Sequence, residues 1–473
     1  MAEIENLDKK ILAYALKNAV EHEGKCQAGS VLAPLFHEGL EKDKVKFIMP
    51  EINNAVKKVN SMKIEEQKEE FEEFEEFISH RKERQGMPEL EDVPNTGIIT
   101  RFSPSSSASA FHIGHILTGM PSCLYIKRYG GKFYLRIEDT NPEKTVPECY
   151  KSFPKEAEWI FGNITEQYAQ SDRMELYYKF AEDLVNKGLA FVCTCKKEED
   201  DESEVPKIRE PCKCRENKII DNQGKWKKML DKKGFKEGEA VLRFKTSLNT
   251  NNPALIDFPL ARINLTPHPK QGKKYRVWPL MNLCVTHDDI VQGCTHIIRA
   301  KEHRDNALRQ EMIFDALKIK KPHSYFLGRY KFDDMPISKT KITEMIKAKK
   351  FSGWDDIRLP LARNFKKRGY QPEAFAKMAE QRGLSEVDKL IARADLFAVL
   401  DNFNREIIRE MSIMKEFSSE KNKEFKNKYT LLMDDASEKD IFFKEKLKDE
   451  QIYFMKGIGF AKLNGKELWF CHE

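Results

Sequence analysis

No apolar run in the 473 residues is long enough to span a bilayer, which excludes a membrane-spanning helix. The opening MAEIENLDKK lacks the basic start and apolar stretch of a secretory signal, so the expected location is cytoplasmic, with no membrane partner. Neither charge sign dominates: 82 Lys and Arg face 76 Asp and Glu, a formal +6. That balance permits a polyanion partner without demanding one, and leaves the question to local patches. Cysteine is sparse, ten in all, and in a reducing compartment these read as free thiols or metal ligands and not as disulfides. No internal repeat is present. What remains is 40% apolar, 10% aromatic and 33% charged, the composition of a globular protein with room for several domains.

The texture changes along the chain. Residues 1–95 read as a helical domain, with Ile11, Leu12, Leu16, Val20, Leu32, Leu35, Phe36 and Leu40 near helical spacing. Its segment 64–77 holds eight glutamates against one lysine, with Phe71, Phe74 and Ile78 at three- and four-residue steps. This is either a solvated acidic face or a docking surface for a basic protein partner. Glu89–Pro94 reads as a linker. Thr96–Phe102 then predicts a strand, His115–Arg128 a helix, Gly130-Gly131 a stop and Lys132–Ile137 a second strand. A strand–loop–helix–strand unit of this kind points to a parallel α/β sheet that binds a nucleotide at the helix N-terminus. Residues 191–272 interrupt the pattern with a cysteine cluster and a Lys-rich stretch, helical spacing returns near 352, and Gln451–Cys471 alternates well enough for one or two hairpin strands.

Three clusters carry chemistry. His112-Ile113-Gly114-His115 follows the first strand. Its glycine allows close backbone approach, and two imidazoles one turn apart can hold a triphosphate as charge builds on it; the bland reading is a pair of capping or core histidines. No third metal ligand stands nearby. Ile337-Ser338-Lys339-Thr340-Lys341 offers loop lysines that could neutralise a leaving pyrophosphate, or merely a solvated surface. Cys193-Thr194-Cys195 and Cys212-Lys213-Cys214 could close a four-thiolate site. Basic runs at Lys225–Lys233, Lys270–Arg276, Lys318–Lys321 and Lys347–Lys350 are candidates for phosphate contacts.

The first two clusters resemble the HIGH and KMSKS signatures of class I aminoacyl-tRNA synthetases. Leu135–Pro142, Tyr275–Pro279, Asp288-Asp289, Ile298–His303, Ser352–Asp356 and Arg358–Pro360 extend the resemblance to the archaeal-type glutamyl-tRNA synthetases, over residues 5 to 415. The resemblance implies an α/β fold: a Rossmann-type catalytic domain in two halves (96–190 and 273–350) around an acceptor-binding insertion (191–272). A helical N-terminal domain (1–95), a helical stem-contact region (351–415) and a shortened anticodon-binding remnant (416–473) complete it. It implies a ligase that activates L-glutamate with ATP and Mg2+ and loads tRNA(Glu). In that scheme His112, Gly114 and His115 hold ATP, Ser338, Lys339 and Lys341 serve the transition state, Arg101 pairs with the substrate side chain, Glu138 holds the ammonium, Arg299 lies near the carboxylate, and Cys193, Cys195, Cys212 and Cys214 bind structural zinc.

Four departures from the family pattern stand out. The loop Pro104–Phe111 is serine-rich where relatives have proline and glycine, Pro121 sits inside the following helix, Met281 replaces a pocket tyrosine, and too few residues follow 400 for two β-barrels. These keep open two other readings: a paralog activating glutamate for another acceptor, and a non-catalytic tRNA- or protein-binding paralog.

Overall fold

The computed structural model describes all residues except 1–5, 23, 38–39, 41–43, 79–85, 196–211, 251 and 333. It divides into two compact units, Met1–Arg84 and Gln85–Glu473. Among the described residues the first holds four α-helices: α1 (Leu7–Glu21), α2 (Ala28–His37), α3 (Val45–Asn60) and α4 (Ile64–Phe74). Ile11, Leu16, Leu35 and Leu40 are buried in their shared core, with Phe71, Phe74 and Phe77 packed against it and the glutamates of α4 outside. Gln67 is the buried exception on that acidic helix; its amide donates to the carbonyls of Gly24 and Val59 at 3.0 and 2.8 Å, which closes otherwise orphaned loop and helix-end groups.

The second unit begins earlier than residue 96. Leu90 is in its core, the Tyr125 hydroxyl donates to the Pro88 carbonyl at 2.7 Å, and the Glu91 N–H donates to Tyr325 at 3.1 Å. The expected linker at Glu89–Pro94 is therefore strapped to the sheet. That sheet starts with β1 (Ile98–Phe102), α5 (Ile113–Tyr129), β2 (Gly131–Ile137), α6 (Cys149–Phe161) and β3 (Glu166–Ala169), all strands parallel. α5 runs unbroken through the buried Pro121. Gly131 is required: at φ 112° its absent Cβ would lie 1.9 Å from the Ile98 carbonyl oxygen, where β1 and β2 begin.

After α7 (Met174–Asn186) the chain leaves the sheet. β4 (Ala190–Cys193), α8 (Ile219–Leu230), β5 (Val241–Phe244), β6 (Pro259–Ile263) and β7 (Val277–Pro279) form an antiparallel four-stranded sheet in the order β4-β5-β6-β7 with its own core, so the insertion reaches slightly beyond 191–272. α9 (Met281–Gln292) returns to the parallel sheet, followed by β8 (His296–Ala300), α10 (Arg304–Leu317) and β9 (His323–Leu327). β8 lies beside β1, joined where Thr295 N–H donates to the Ile99 carbonyl and Ile99 N–H to the Thr295 hydroxyl, each at 2.9 Å.

Beyond it come β10 (Tyr330–Lys331), α11 (Lys339–Lys347), α12 (Ala362–Arg368), α13 (Pro372–Arg382), β11 (Lys389–Leu390) and α14 (Arg393–Ile408). The chain closes with β12 (Ile413–Met414), β13 (Asn427–Leu432), β14 (Glu438–Phe443), β15 (Ile452–Met455), β16 (Gly459–Asn464) and β17 (Glu467–His472), one six-stranded sheet in the order β12-β15-β16-β17-β13-β14. Arg368 locks it to the helices, donating to the carbonyls of Phe470 and Cys471 at 3.0 and 2.6 Å. Among the described residues no helix is long and apolar enough to cross a membrane.

Candidate active site

β1 leads through a serine-rich loop into the N-terminus of α5. His112 is the N-cap of α5: its Nδ1 accepts the Gly114 N–H at 3.0 Å, while the His115 Nδ1 accepts the His112 N–H at 3.3 Å. Both ring nitrogens that face the backbone are acceptors, so the protons sit on the two Nε2 atoms. Burial lowers the His112 pKa to about 4 and, with His112 beside it, holds His115 well below the usual histidine range. The pair is neutral and caps the helix, yet each ring keeps one N–H free to donate. Gly114 is part of the device: a Cβ there would meet the His112 ring at 2.8 Å.

The serine-rich loop before it is held by side chains in place of proline. Ser106 and Thr145 share a hydrogen bond at 2.9 Å, Ser106 N–H donates to the Glu138 carbonyl at 3.0 Å, and Ser152 donates to the Ser109 carbonyl at 2.6 Å. The buried Glu156 of α6 accepts the Phe111 N–H at 2.5 Å; burial raises its pKa to about 7, against the Phe111 hydrogen bond and the Arg363 charge. From the other side the segment after Arg358 braces α5, with Ile113 N–H on the Pro360 carbonyl and Ala362 N–H on the Phe111 carbonyl at 2.9 and 2.8 Å.

A cluster of charges lies where β1, β2, α9 and β8 meet. Arg101 lies near the end of β1, Arg136 near the end of β2 and Glu138 just beyond it, Asp289 faces them from α9, and Arg299 comes from β8. A single oxygen of Asp289 meets Arg136 at 2.6 Å and Arg101 at 3.5 Å. Arg136 is wholly buried and donates besides to Gln292 and the Cys294 sulfur. Its three partners fix it, as an unpaired charge at that depth would be costly. The Arg101 Nε and Arg299 Nε lack hydrogen-bond partners although buried. Burial raises the Glu138 carboxyl to about 7, opposed by the three arginines and reinforced by Asp289; burial also lowers Arg299 to about 9, helped by Arg101. Three guanidiniums thus surround two carboxylates, a surplus of positive charge that suits an anion.

The structure brings Arg101, Glu138 and Arg299 together, and His112, Gly114 and His115 together. Met281 opens the first turn of α9, half-buried, next to Asn282. Ser338 caps α11 by accepting the Lys341 N–H at 3.2 Å. Lys339 and Lys341 are exposed, and Lys339 lines a cleft of about 650 Å³ with Ser109, Trp354 and Asp355. Arg136 and Asp289 join this cluster although the sequence analysis assigns them no role; their signal is burial of opposite charges at strand and helix ends, which needs the fold to be seen.

The four cysteine sulfurs of Cys193, Cys195, Cys212 and Cys214 lie within 4.8 Å of one another. The Cys195–Cys212, Cys193–Cys212 and Cys195–Cys214 separations are 3.1, 3.4 and 3.8 Å. A tetrahedral zinc with sulfur at ~2.3 Å places its ligands ~3.8 Å apart, so the set fits such an ion and is too wide for disulfides. Arg215, paired with Asp257, fastens this loop to the insertion sheet.

Residues 97–409 match the model for tRNA synthetases class I (E and Q), catalytic domain. The glutamate–tRNA ligase of Methanocaldococcus jannaschii is 36% identical over 403 residues, 85% of this chain and 71% of that protein. That of Pyrococcus abyssi is 38% identical over 411 residues, again 85% and 71%. A crystal structure of a glutamate tRNA ligase from Elizabethkingia meningosepticum, in complex with its amino acid, aligns with a TM-score of 0.47 and 20% identity over 67% of this chain and 70% of that one. With the match spanning both halves of the parallel sheet and the insertion between them, this chain belongs to the class I tRNA synthetases of the E and Q branch.

Proposed function

We propose that this chain is a glutamate–tRNA ligase, which joins L-glutamate to ATP, releases pyrophosphate and passes the glutamyl group to the 3′ end of tRNA(Glu). The observation that carries the reading is the cluster of Arg101, Arg136 and Arg299 around Glu138 and Asp289. Glutamate brings two carboxylates and one ammonium, the complement of two under-partnered guanidiniums and one carboxylate. Arg101 takes the side-chain carboxylate, where a planar fork gives bidentate recognition. Glu138 takes the ammonium, and Arg299 lies by the α-carboxylate that becomes the acyl group. The two Nε2–H donors of His112 and His115, at the N-terminus of α5, receive the ATP phosphates. Lys339 and Lys341, capped into place by Ser338, balance charge on the departing pyrophosphate, with Mg2+ as its counter-ion in solution. Met281 forms the pocket rim without a hydroxyl.

Zinc on Cys193, Cys195, Cys212 and Cys214 would cross-link the insertion and take no part in the chemistry. The exposed lysines of the insertion and of the runs near 320 and 350 give tRNA phosphates a sequence-independent grip. The cytoplasm, where tRNA is charged, is the compartment this reading assigns.

The test is exchange of labelled pyrophosphate into ATP, dependent on glutamate, with and without tRNA, beside Lys339→Ala. Exchange that falls ~100-fold or more in the variant, together with charging of tRNA(Glu), is expected. Exchange without charging of any tRNA would replace the reading with an alternative acceptor, and no exchange with any amino acid would end it.

A further inference from the structure

Arg299 is held by a chain of side-chain amides with only one allowed direction. Its Nη1 donates to Gln310 Oε1 at 3.0 Å. A guanidinium has no acceptor, so the Gln310 oxygen must face it and the Gln310 Nε2 must face away. That Nε2 donates to Asn282 Oδ1 at 3.3 Å, which turns the Asn282 Nδ2 toward Asn306 Oδ1, again 3.3 Å. The same Asn306 oxygen accepts Arg309 Nη1 at 2.9 Å, so the chain is pinned by a guanidinium at each end. Asn306 Nδ2 is left to donate to His303 Nδ1 at 3.3 Å, as a neutral His303 allows. Arg309 then donates through Nε to the Ala254 carbonyl at 2.7 Å, in the turn Pro253–Leu255 of the insertion. Gln310 and Asn282 are buried, so neither has water as a substitute partner.

We infer that Gln310, Asn282 and Asn306 are positioning residues that aim Arg299 at the amino-acid carboxylate and anchor it to the Pro253–Leu255 turn. The inference rests on the proposed amino-acid site. None of the three touches substrate; each acts through Arg299. The fixed direction has a consequence that general packing does not share. Asp at 306 can accept from both Asn282 and Arg309, and the His303 ring can move its proton to Nδ1 to donate in turn. Asp at 282 would set a carboxylate oxygen against the Asn306 oxygen, which Arg309 keeps in place. One chemical change therefore has opposite results at two neighbouring links.

The experiment measures KM for glutamate and for ATP in pyrophosphate exchange for Gln310→Leu, Asn306→Leu, Asn306→Asp and Asn282→Asp, and a crystal structure of Gln310→Leu. Gln310→Leu, Asn306→Leu and Asn282→Asp are expected to raise the glutamate KM roughly 10- to 100-fold with the ATP KM within about twofold, and Asn306→Asp to recover most of the loss seen in Asn306→Leu. Equal effects of Asp at 282 and 306, or an ATP KM that rises in parallel, would overturn the relay. So would an Arg299 guanidinium that keeps its place in the Gln310→Leu crystal. That last readout needs no activity, so a wild-type protein without exchange would sink the proposed function while the relay is still judged.

Discussion

His112 and His115 stack with ring centres 3.9 Å apart and planes inclined by 33°, each giving its Nδ1 to a backbone N–H. The cap and the proposed phosphate donor are thus two nitrogens of one ring, and substitution can separate them. In His112→Asn the side-chain oxygen replaces Nδ1 and nothing replaces Nε2. Melting temperature is expected to stay within a degree or two of wild type while kcat falls ~100-fold; His112→Ala should lose ~1 kcal/mol of stability as well. Calorimetry beside exchange kinetics checks this. Equal melting losses in both variants would show that the asparagine does not cap.

Glu138 titrates at about 7 in the free protein. An ammonium beside it favours the charged form, so glutamate binding should lower that value and release a proton at pH 6 to 7. Isothermal titration in buffers of different ionisation enthalpy reads the proton directly. Affinity should weaken as pH falls below 7, and Glu138→Gln should abolish the release. Release that persists in the variant would place the titrating group elsewhere.

Glu156 carries a stability signature. Its pKa is raised from 4.5 to about 7 in the fold, so the folded state binds the proton more tightly than the unfolded chain. The sign follows: the contribution is full below pH 4.5 and is lost as pH rises through 7, by up to ~3 kcal/mol. Denaturant titrations between pH 4.5 and 8 should show that slope. Glu156→Gln keeps an oxygen for the Phe111 N–H and should flatten it; an unchanged slope would count against the assignment.

Metal content separates the two readings of the cysteine cluster. One zinc per chain is expected by elemental analysis of the purified protein. Cys195→Ser and Cys212→Ser should each lower the zinc content and increase protease cleavage within 190–279, with little change in glutamate KM. Four freely titrating thiols in a metal-free native protein would refute the zinc site.

Much of this architecture was legible in the residues. The strand-like runs and the Gly130-Gly131 stop around 96–137 placed β1, α5 and β2 within a residue or two, because a largely buried parallel pair leaves little choice of side chain. The CxC pairs pointed to the four-cysteine cluster because ligand chemistry is local in sequence. The hairpin β13–β14 was missed. Its apolar face rests on Tyr429, Leu431, Ile441 and Phe443 alone, two per strand, in a stretch otherwise filled with lysine and acid. The C-terminal region expected at 416–473 supplies β13 to β17, five of the six strands of one sheet, with β12 just before it. Arg136 and Asp289 were hidden for another reason. They are 153 residues apart, and only the return of α9 to the sheet makes them partners.

The junction of Ile99 with Thr295 spans 196 residues, and it bears on how the protein folds. A parallel sheet assembled across such a gap is slow to form, since chain entropy must be lost before the contact gives anything back. The insertion shortens that search. β4 and β7 are the outer strands of its four-stranded sheet, so once it has formed, Val192 and Pro279 are held ~14 Å apart. Halving the effective loop lowers closure entropy by only ~0.6 kcal/mol, a small gain at equilibrium. Its larger effect is on order: the antiparallel sheet can form locally and early, and deliver α9 and β8 to a waiting β1. A destabilised insertion would then reveal itself first as delayed refolding of the parallel sheet, before any loss in the turnover of molecules already folded.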